Sequence, residues 1–369
     1  MLLNALQLIN FRNYASGTAV FSPRLNLIYG ENAQGKSNLL EAICYLALNS
    51  SFREASDGEI LGWGQDFFRL EAQAESGRAQ LELAIGYDRS KRKSWQINGL
   101  PQTKLHQVLG YLHVVIFSPA DLALVQAGPQ VRRRFLNREM VQLKPDFCSL
   151  LVRYNQVIRQ RNAVLKTGQA GPLLAAWNQQ LVTLGAQIIH RRLALLQRLK
   201  PLAASFHRAL SREREGLTIK YRGIAPEEQL LAAGFEQLQE LFWQRLTRME
   251  EAEKSRGMSL LGPHRDDFEL EINGKITRQY GSQGQQRTAA LALKLAELEL
   301  AREERGECPL LLLDDVLSEL DAGRRQQLLQ MMNGLTQTFI TTTDQQFQLE
   351  GAKSFYISAG NIKEEKEKS

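Results

Sequence analysis

Hydrophobic and polar positions alternate with a period of two along much of the first 120 residues, a pattern that predicts β-strands. The predicted strands are residues 3–9, 25–29, 68–74, 80–85, 94–97 and 114–117. Asn98-Gly99, which follows one of them, is a dipeptide suited to a type I′ hairpin turn. The beginning of the chain is therefore expected to be rich in β-structure.

After Pro119 the apolar residues recur at helical spacing. A helix is predicted over residues 181–199, ending near Pro201, and another over residues 229–256, with a short strand at 217–221 between them. Strand texture returns at residues 268–272, before the turn dipeptide Asn273-Gly274. We predict an α/β head in two parts, residues 1–119 and 256–369, with a helical lobe at 120–255 inserted between them.

The strand at 25–29 leads into a glycine-rich turn and then a helix. The turn is Gly30-Glu31-Asn32-Ala33-Gln34-Gly35-Lys36-Ser37, which fits the phosphate-binding pattern G-x-x-x-x-G-K-[ST]. Its amides point at phosphate oxygens, Lys36 adds a cation, and the Ser37 hydroxyl reaches Mg²⁺. A glycine turn without a ligand is the alternative, and the flanking strand and helix argue against it. The prediction is a site for a nucleoside triphosphate.

Two carboxylates end a run of four leucines. Asp314 and Asp315 follow Leu310–Leu313, which is typical of a buried central strand. We expect Asp314 to hold Mg²⁺ together with Ser37, and Asp315 to orient or deprotonate the attacking water. The alternative is that both aspartates cap a following helix.

A second glycine motif, Ser282-Gln283-Gly284-Gln285, precedes a predicted helix at residues 288–305. Ser282 is a natural N-cap, and the helix start offers amides and a positive dipole end to a terminal phosphate. The order of phosphate loop, serine-glycine helix start and aspartate strand is that of ATP-binding-cassette heads. We predict catalytic roles for Lys36, Asp315 and Ser282.

Two further segments qualify this prediction. Residues 318–321 are expected to contact a partner subunit, as the corresponding loop of such heads does. Thr341-Thr342-Thr343 stands where transport members of the superfamily carry a histidine. With that histidine absent and the short Asp315 where glutamate is usual, we expect slow hydrolysis that acts as a switch.

Composition supports a folded two-lobed chain: it has 369 residues, of which 43% are hydrophobic, and a net charge of +6. The basic excess lies in residues 120–215, which hold sixteen Lys or Arg against five Asp or Glu. This asymmetry favours a polyanion as partner. The alternative is a solvated helical surface balanced by the other lobe.

Other sites and locations find little support. Three cysteines and five histidines are scattered, without the spacing of a disulfide framework or a zinc site. No apolar run approaches bilayer length, and the alternating first residues do not look like a signal peptide. We expect a cytoplasmic protein without membrane contact.

In several motifs along its length the chain resembles the RecF family, whose members are compact relatives of the SMC heads without their long coiled coil. The matching strings are residues 10–14 (NFRNY), the phosphate loop followed by Asn38, residues 51–53 (SFR), 117–119 (FSP) with 121–122 (DL), 132–136 (RRRFL), 262–267 (GPHRDD), the serine-glycine motif and Asp314-Asp315. Ala120 and Gly281 depart from the family pattern. The chemical task of residues 262–267 does not follow from the sequence.

The resemblance implies an ATP-dependent homodimer in which the phosphate loop of one subunit, with Asn38 after it, and Ser282 of the other hold one nucleotide, with Arg12 nearby or in a surface salt bridge. It also implies binding to duplex DNA and single-strand/double-strand junctions during replication and repair. RecO-type and RecR-type mediators that load recombinase would be partners. Arg132, Arg133, Arg134 and Arg138 are the candidate phosphate contacts, with Arg159, Arg161, Arg191, Arg192 and Arg198 further along the helices.

Two rival functions share the head. The cytosolic ATPase of a transporter would carry the switch histidine and a glutamine loop, for which Gln126 is only a weak candidate. A non-catalytic ATP-gated scaffold would bind DNA or partners with incidental hydrolysis.

Overall fold

The computed structural model describes residues 1–77, 79–90, 92–168, 171–317, 325, 336–344, 347 and 349–365. The predicted partner-contact loop at 318–321 therefore lies outside the described residues. The chain divides into unit 1, Met1–Asp121 with Glu297–Ser369, and unit 2, Leu122–Ala296. The sequence prediction returned the chain to the head at residue 256 instead, whereas pairing of the strand after that point with a strand of the helical lobe keeps it in unit 2.

Unit 1 contains two sheets. The antiparallel sheet has the order β2-β1-β4-β5-β6-β7. Its strands are β1 (Leu2–Phe11), β2 (Tyr14–Val20), β4 (Phe67–Ser76), β5 (Ala79–Asp88), β6 (Arg92–Ile97) and β7 (Leu100–Gln102). The mainly parallel sheet has the order β15-β14-β3-β13-β12-β8. Its strands are β3 (Leu25–Tyr29), β8 (Val114–Phe117), β12 (Leu310–Asp314), β13 (Thr338–Thr342), β14 (Ala352–Ser358) and the antiparallel β15 (Asn361–Glu365).

Helix α1 (Lys36–Leu48) contacts strands of both sheets and is buried along nearly its whole length. A helix that is apolar on all sides belongs inside a core, which accounts for its run of Leu, Ile, Ala and Cys. Leu39, Ile43 and Leu46 join side chains of both sheets in one hydrophobic cluster. The start of α1, which carries Lys36 and Ser37, is thereby fixed by the core of unit 1. The short helix α2 (Asp57–Ile60) follows it.

Unit 2 is mostly helical, with a small antiparallel sheet in the order β11-β10-β9. Its helices are α3 (Ala123–Gln126), α4 (Pro129–Leu143), α5 (Asp146–Thr167), α6 (Pro172–Leu210), α7 (Glu227–Ala232), α8 (Phe235–Arg256) and α9 (Thr277–Tyr280), and its strands are β9 (Leu217–Arg222), β10 (Asp267–Ile272) and β11 (Lys275–Ile276). Helix α10 (Gln283–Arg305) begins in unit 2 and ends in unit 1. Among the described helices, none is both long and apolar enough to cross a bilayer.

Two expectations about element ends are wrong. Helix α6 does not stop near Pro201 but continues to Leu210, because Leu199 and Ala203 on either side of the proline are both fully buried and keep the packed face continuous. The charged sequence of residues 363–369 predicts a low-complexity, frayed tail, but Lys363 lies within β15 and pairs with Tyr356 of β14. Residues 366–369 lie outside the described residues.

One buried ion pair ties three parts of unit 2 together. Arg161 on α5 and Glu253 on α8 are both fully buried, with 2.6 Å between Nη2 and Oε2. Arg161 also donates from Nε to Asn178 Oδ1 (2.7 Å) and from Nη1 to Ser259 Oγ (2.8 Å). Glu253 Oε1 accepts from the Leu260 amide at 2.7 Å. The position of Arg161 excludes it from the arginines available to DNA.

Replacing Arg161 by Met would leave Glu253 buried without its cation. We expect Arg161→Met to lower the free energy of unfolding by about 3–5 kcal/mol, measured by urea titration. The matched control is Arg159→Met, an exposed arginine on the same helix, for which the expected change is within about 0.5 kcal/mol. Equal effects of the two substitutions would contradict this assignment.

Candidate functional site

The phosphate loop leaves the carboxyl end of β3, between β13 and β14 in the parallel sheet. Gly30 has φ 147°, and a Cβ atom there would overlap the carbonyl oxygen of Ile357 in β14. Only glycine has both the conformational freedom and the space that this position requires. The first turn of the loop is therefore held against β14.

The other end of the loop is held by the turn between β1 and β2. Gly35 has φ 118°, and a Cβ there would lie 2.8 Å from the side-chain amide of Asn13. Asn13 Nδ2 donates to the Gln34 carbonyl oxygen (2.8 Å), and the Tyr14 hydroxyl donates to the Gly35 carbonyl oxygen (2.9 Å). The loop is thus shaped before any phosphate arrives, with Glu31, Asn32 and Ala33 at its exposed tip.

Lys36 begins α1 and is only 8% exposed. Its Nζ donates to the carbonyl oxygens of Gly30 (2.8 Å) and Glu31 (2.6 Å). The pKa of this ammonium group is lowered, because burial disfavours its charge. The attraction of Asp315 and Asp314 partly offsets that shift. The charges of the loop lysine and of both aspartates therefore act on one another within unit 1.

Thr341 joins the two carboxylate residues. It lies near the end of β13, the strand between β3 and β12, and its hydroxyl donates to Asp314 Oδ1 (3.0 Å) while accepting from the Asp315 amide (2.9 Å). Asp314 is 6% exposed, and Asp315 has φ 54°, in the left-handed region. Asp tolerates that region better than most residues. The sequence drew attention to Thr341 only as the place of an absent histidine.

A second polar network, which sequence reasoning missed, reaches Asp314 from the segment between α1 and α2. Arg53 Nη2 lies 3.9 Å from Asp314 Oδ2, and Arg53 Nη1 donates to Asn38 Oδ1 at 3.0 Å. Asn38, a predicted nucleotide contact, in turn donates to Asn13 Oδ1 (2.8 Å). The signal was present, since residues 51–53 were among the matching strings, but the pattern assigned no task to Arg53.

Arg12, expected near the nucleotide or in a surface salt bridge, forms a bidentate pair with the fully buried Glu41 of α1. The distances are 2.8 Å from Nε to Oε2 and 2.6 Å from Nη2 to Oε1. The Ser51 hydroxyl also donates to Glu41. Arg12 therefore orients the turn that holds the phosphate loop.

These residues fit a nucleoside triphosphate with Mg²⁺. The two glycines let the loop pack against Ile357 and Asn13 while the start of α1 offers backbone amides to phosphate, and Lys36 supplies the cation. Ser37, the second residue of α1, and Asp314 provide the hydroxyl and carboxylate oxygens that Mg²⁺ prefers. Magnesium bound there would neutralise phosphate charge.

In unit 2, Ser282 caps α10. Its hydroxyl accepts from the Gln285 amide (3.3 Å), and its own amide donates to Gln285 Oε1 (2.8 Å), so the predicted N-cap is confirmed as a capping box. Ser282 and Gln283 are exposed, whereas Gly284 and Gln285 are half-buried. A helix start with its serine facing solvent is available to a ligand or another molecule.

The basic cluster on α4 is divided by burial. Arg132 is 5% exposed and bonds Asp267 through Nε (2.8 Å) and Nη2 (2.9 Å), so the prediction that it contacts DNA is corrected: its guanidinium is occupied inside unit 2. Arg133 is half-buried and donates to the Asp266 carbonyl oxygen. Arg138 is half-buried, and Arg134 is exposed. Arg192, further along, is 2% exposed and likewise unavailable.

Residues 262–267 build a buried polar core in unit 2. The Tyr221 hydroxyl donates to Asp266, and the Tyr154 hydroxyl lies 2.7 Å from His264 Nδ1. Arg192 Nη1 donates to the Pro263 carbonyl oxygen at 2.7 Å. Through these contacts the motif joins α5, α6, β9 and β10.

The comparisons with known proteins cover nearly the whole chain. Residues 2–365 match the RecF/RecN/SMC N terminal domain family. The DNA replication and repair protein RecF of Symbiobacterium thermophilum is 44% identical over 93% of this chain and 92% of its own. The protein of the same name from a strain of Bacillus cereus is 40% identical over 98% of both chains.

Solved structures agree with this. A structure described as the recombination mediator protein RecF-ATP in the RecFOR pathway has a TM-score of 0.93 and 36% identity, covering 99% of this chain and 98% of its own. An Smc head domain from Pyrococcus furiosus, at 13% identity and a TM-score of 0.56, covers 99% of this chain and 96% of its own and shares the fold alone. The site and fold define a P-loop ATPase head of the SMC type with an inserted helical lobe. The chain belongs to the RecF family.

Asp266 and His264 give unit 2 opposite pH dependences. Burial raises the pKa of Asp266 from 3.8 to about 6, so its stabilising contribution is present below pH 3.8 and is lost as the pH rises through 6. Burial lowers the pKa of His264 from 6.5 to about 4, so its contribution is present above pH 6.5 and is lost as the pH falls through 4. The charged groups facing this pair are Arg133, Arg161, Arg192, Arg265 and Asp267.

Asp266→Asn should remove the first dependence and leave the second. We expect the free energy of unfolding of this variant to fall between pH 6.5 and pH 4 by about 2–3 kcal/mol more than that of the parent chain. Urea titrations across this pH range measure the difference, with the exposed Glu228→Gln as control. Parallel curves for Asp266→Asn and the parent would refute the assignment.

Proposed function

We propose that this chain is an ATP-dependent DNA-binding ATPase of DNA replication and recombinational repair. The observation that carries the ATPase part is the joining of the phosphate loop and the two carboxylates at one edge of the parallel sheet, with Thr341 of the intervening strand holding Asp314 and Asp315. The relatives named DNA replication and repair protein RecF support the DNA part.

In this proposal each residue of the nucleotide site in unit 1 has a separate task. The loop amides and Lys36 bind the phosphates, and Ser37 with Asp314 holds Mg²⁺. Asp315 orients or deprotonates the attacking water. The absence of a switch histidine and the short Asp315 side chain favour slow turnover, so hydrolysis acts as a timer.

The proposed dimer follows from the exposed cap of α10. Ser282 of one copy would meet the terminal phosphate bound by the loop of a second copy, because a helix N-terminus carries free amides and a positive dipole end. When that phosphate leaves, the helix start loses its ligand and the two copies separate. RecO-type and RecR-type mediators belong to the same proposal, in support of recombinase loading at single-strand gaps.

DNA binding would rest on backbone phosphates. Arg134, with contributions from Arg133 and Arg138, is the exposed part of the proposed surface on α4. If about six phosphates are neutralised, affinity should fall by about three decades between about 50 and 200 mM salt. The transporter ATPase is not supported, because the chain belongs to the RecF family.

Ser282→Arg tests the shared nucleotide. We expect this variant to bind one ATP per chain as the parent does, because the loop of unit 1 is intact, but to sediment as a monomer with ATP because the bulky cation blocks the helix start. The control is Ser205→Arg, also an exposed serine in unit 2, which should dimerise like the parent. ATP-dependent dimerisation of Ser282→Arg would contradict the proposal.

Arg134→Ala tests the DNA surface. Removal of one phosphate contact should reduce the slope of log affinity against log salt by about 0.9, measured by fluorescence anisotropy with a short duplex. Arg248→Ala, an exposed arginine on α8, serves as control and should leave the slope unchanged. The reverse result would move the DNA surface from α4 to α8.

A further inference from the structure

A series of hydrogen bonds, closed into a ring by the backbone between Asp267 and Thr277, includes the segment that leads to Ser282. Arg132 on α4 binds the Asp267 carboxylate at the start of β10. Its Nη1 also donates to two carbonyl oxygens, that of Leu124 within α3 (3.1 Å) and that of Ala127 directly after α3 (2.8 Å). Arg132 therefore fixes α3 relative to β10.

Gln126, at the end of α3, continues the ring to α10. Its Nε2 donates to Gln286 Oε1 at 2.7 Å. Gln286 is 8% exposed, and its own Nε2 donates to the carbonyl oxygens of Thr277 (3.2 Å) and Gly281 (3.1 Å). These two carbonyls bracket α9, the turn directly before Ser282. The chain from Asp267 through β10 and β11 to Thr277 closes the ring covalently.

The ring surrounds space that side chains do not fill. A partly open cavity of about 80 Å³ lies between the β10–β11 hairpin and α3–α4, and its lining includes Arg132, Asp267, Glu269 and Arg278. Where packing is incomplete, the position of a segment depends on its polar contacts. The turn before Ser282 lies at the rim of this cavity. It is therefore held in place by Gln286 and, through Gln126, by Arg132.

We propose that Gln126 and Arg132 are positioning residues for Ser282: they hold the turn at residues 277–281, and with it the start of α10, in the orientation that a terminal phosphate requires. The inference rests on the proposed function for the role of Ser282. It also gives α4 a second task, because the buried face of this helix supports Ser282 while its exposed face carries Arg134.

The surface position of Gln126 makes the test sharp. Gln126 is exposed, so changing it does not disturb a core. Gln126→Glu keeps the size but removes the donor, whereas Gln126→Lys keeps a donor toward Gln286. Gln130→Glu, at an exposed position early in α4, is the matched control for the added charge.

Two measurements are made on the full chain. Hydrogen–deuterium exchange without ligands should be about fivefold faster over residues 277–288 in Gln126→Glu, which corresponds to about 1 kcal/mol for one lost hydrogen bond. In Gln126→Lys and Gln130→Glu the exchange rate over these residues should match that of the parent.

With ATP and duplex DNA, kcat of Gln126→Glu should fall about fivefold while ATP bound per chain and KM for ATP stay unchanged, the ratio expected for the same lost bond. Arg132→Lys, which keeps the charge but loses the bidentate geometry, should show the same local increase in exchange.

The outcomes separate the two levels of the argument. Exchange over residues 277–288 in Gln126→Glu equal to that in Gln130→Glu overturns the positioning role, as does an increase in Arg132→Lys spread evenly over residues 122–296. A parent chain without ATP hydrolysis would refute the proposed function, while the exchange measurement would still decide whether Gln126 and Arg132 hold the turn. Faster exchange with unchanged kcat would show that the turn is held but that Ser282 does not need it, and would also overturn the inference.

Discussion

The close approach of the phosphate loop to β14 is the constraint on which the proposed ATP site depends. A Cβ atom at Gly30, which directly follows β3, would overlap the Ile357 carbonyl oxygen, so the loop can begin there only without a side chain. Asn13 and Tyr14 hold the other end through the Gln34 and Gly35 carbonyls. Because both ends are fixed by neighbouring strands, the backbone does not have to be ordered by the ligand.

The acidic half of the site uses polar contacts in the same way. Thr341 fixes Asp314 through its carboxylate and Asp315 through its amide, and Arg53 approaches Asp314 from the other side. Glu41, buried in α1, binds both Arg12 and Ser51. The strands and the helix that carry these side chains contribute apolar residues to the core of unit 1, so packing sets the frame and hydrogen bonds set the direction of the functional groups.

Much of this could be predicted from the sequence because the informative patterns are local. The local strand patterns predicted β3 and β8 with their observed bounds, and the phosphate pattern depended only on glycine spacing and the flanking strand and helix. The end of α6 could not be predicted, since proline normally stops a helix and only burial on both sides of Pro201 explains the continuation. Strand β15 was missed because its charged residues resemble a frayed tail until β14 is known to lie beside it.

Net charge along the sequence was the weakest guide to which arginines lie on the surface. The basic surplus of residues 120–215 was counted from composition, but Arg132, Arg161 and Arg192 lie inside unit 2 and bind carboxylates, carbonyls and amides there. Nothing in an arginine's neighbours along the chain distinguishes these buried positions from the exposed Arg134, because the partners Asp267 and Glu253 are more than ninety residues away. The hydrogen bond between Gln126 and Gln286 likewise joins residues that are far apart in the sequence.

An experimental structure of the full chain bound to ATP, with hydrolysis blocked, would show directly whether two copies share each nucleotide. We expect two copies, with each nucleotide held by Gly30–Ser37 of one copy and reached by Ser282 of the other. A nucleotide contacted by the loop and the serine of the same copy would contradict this expectation.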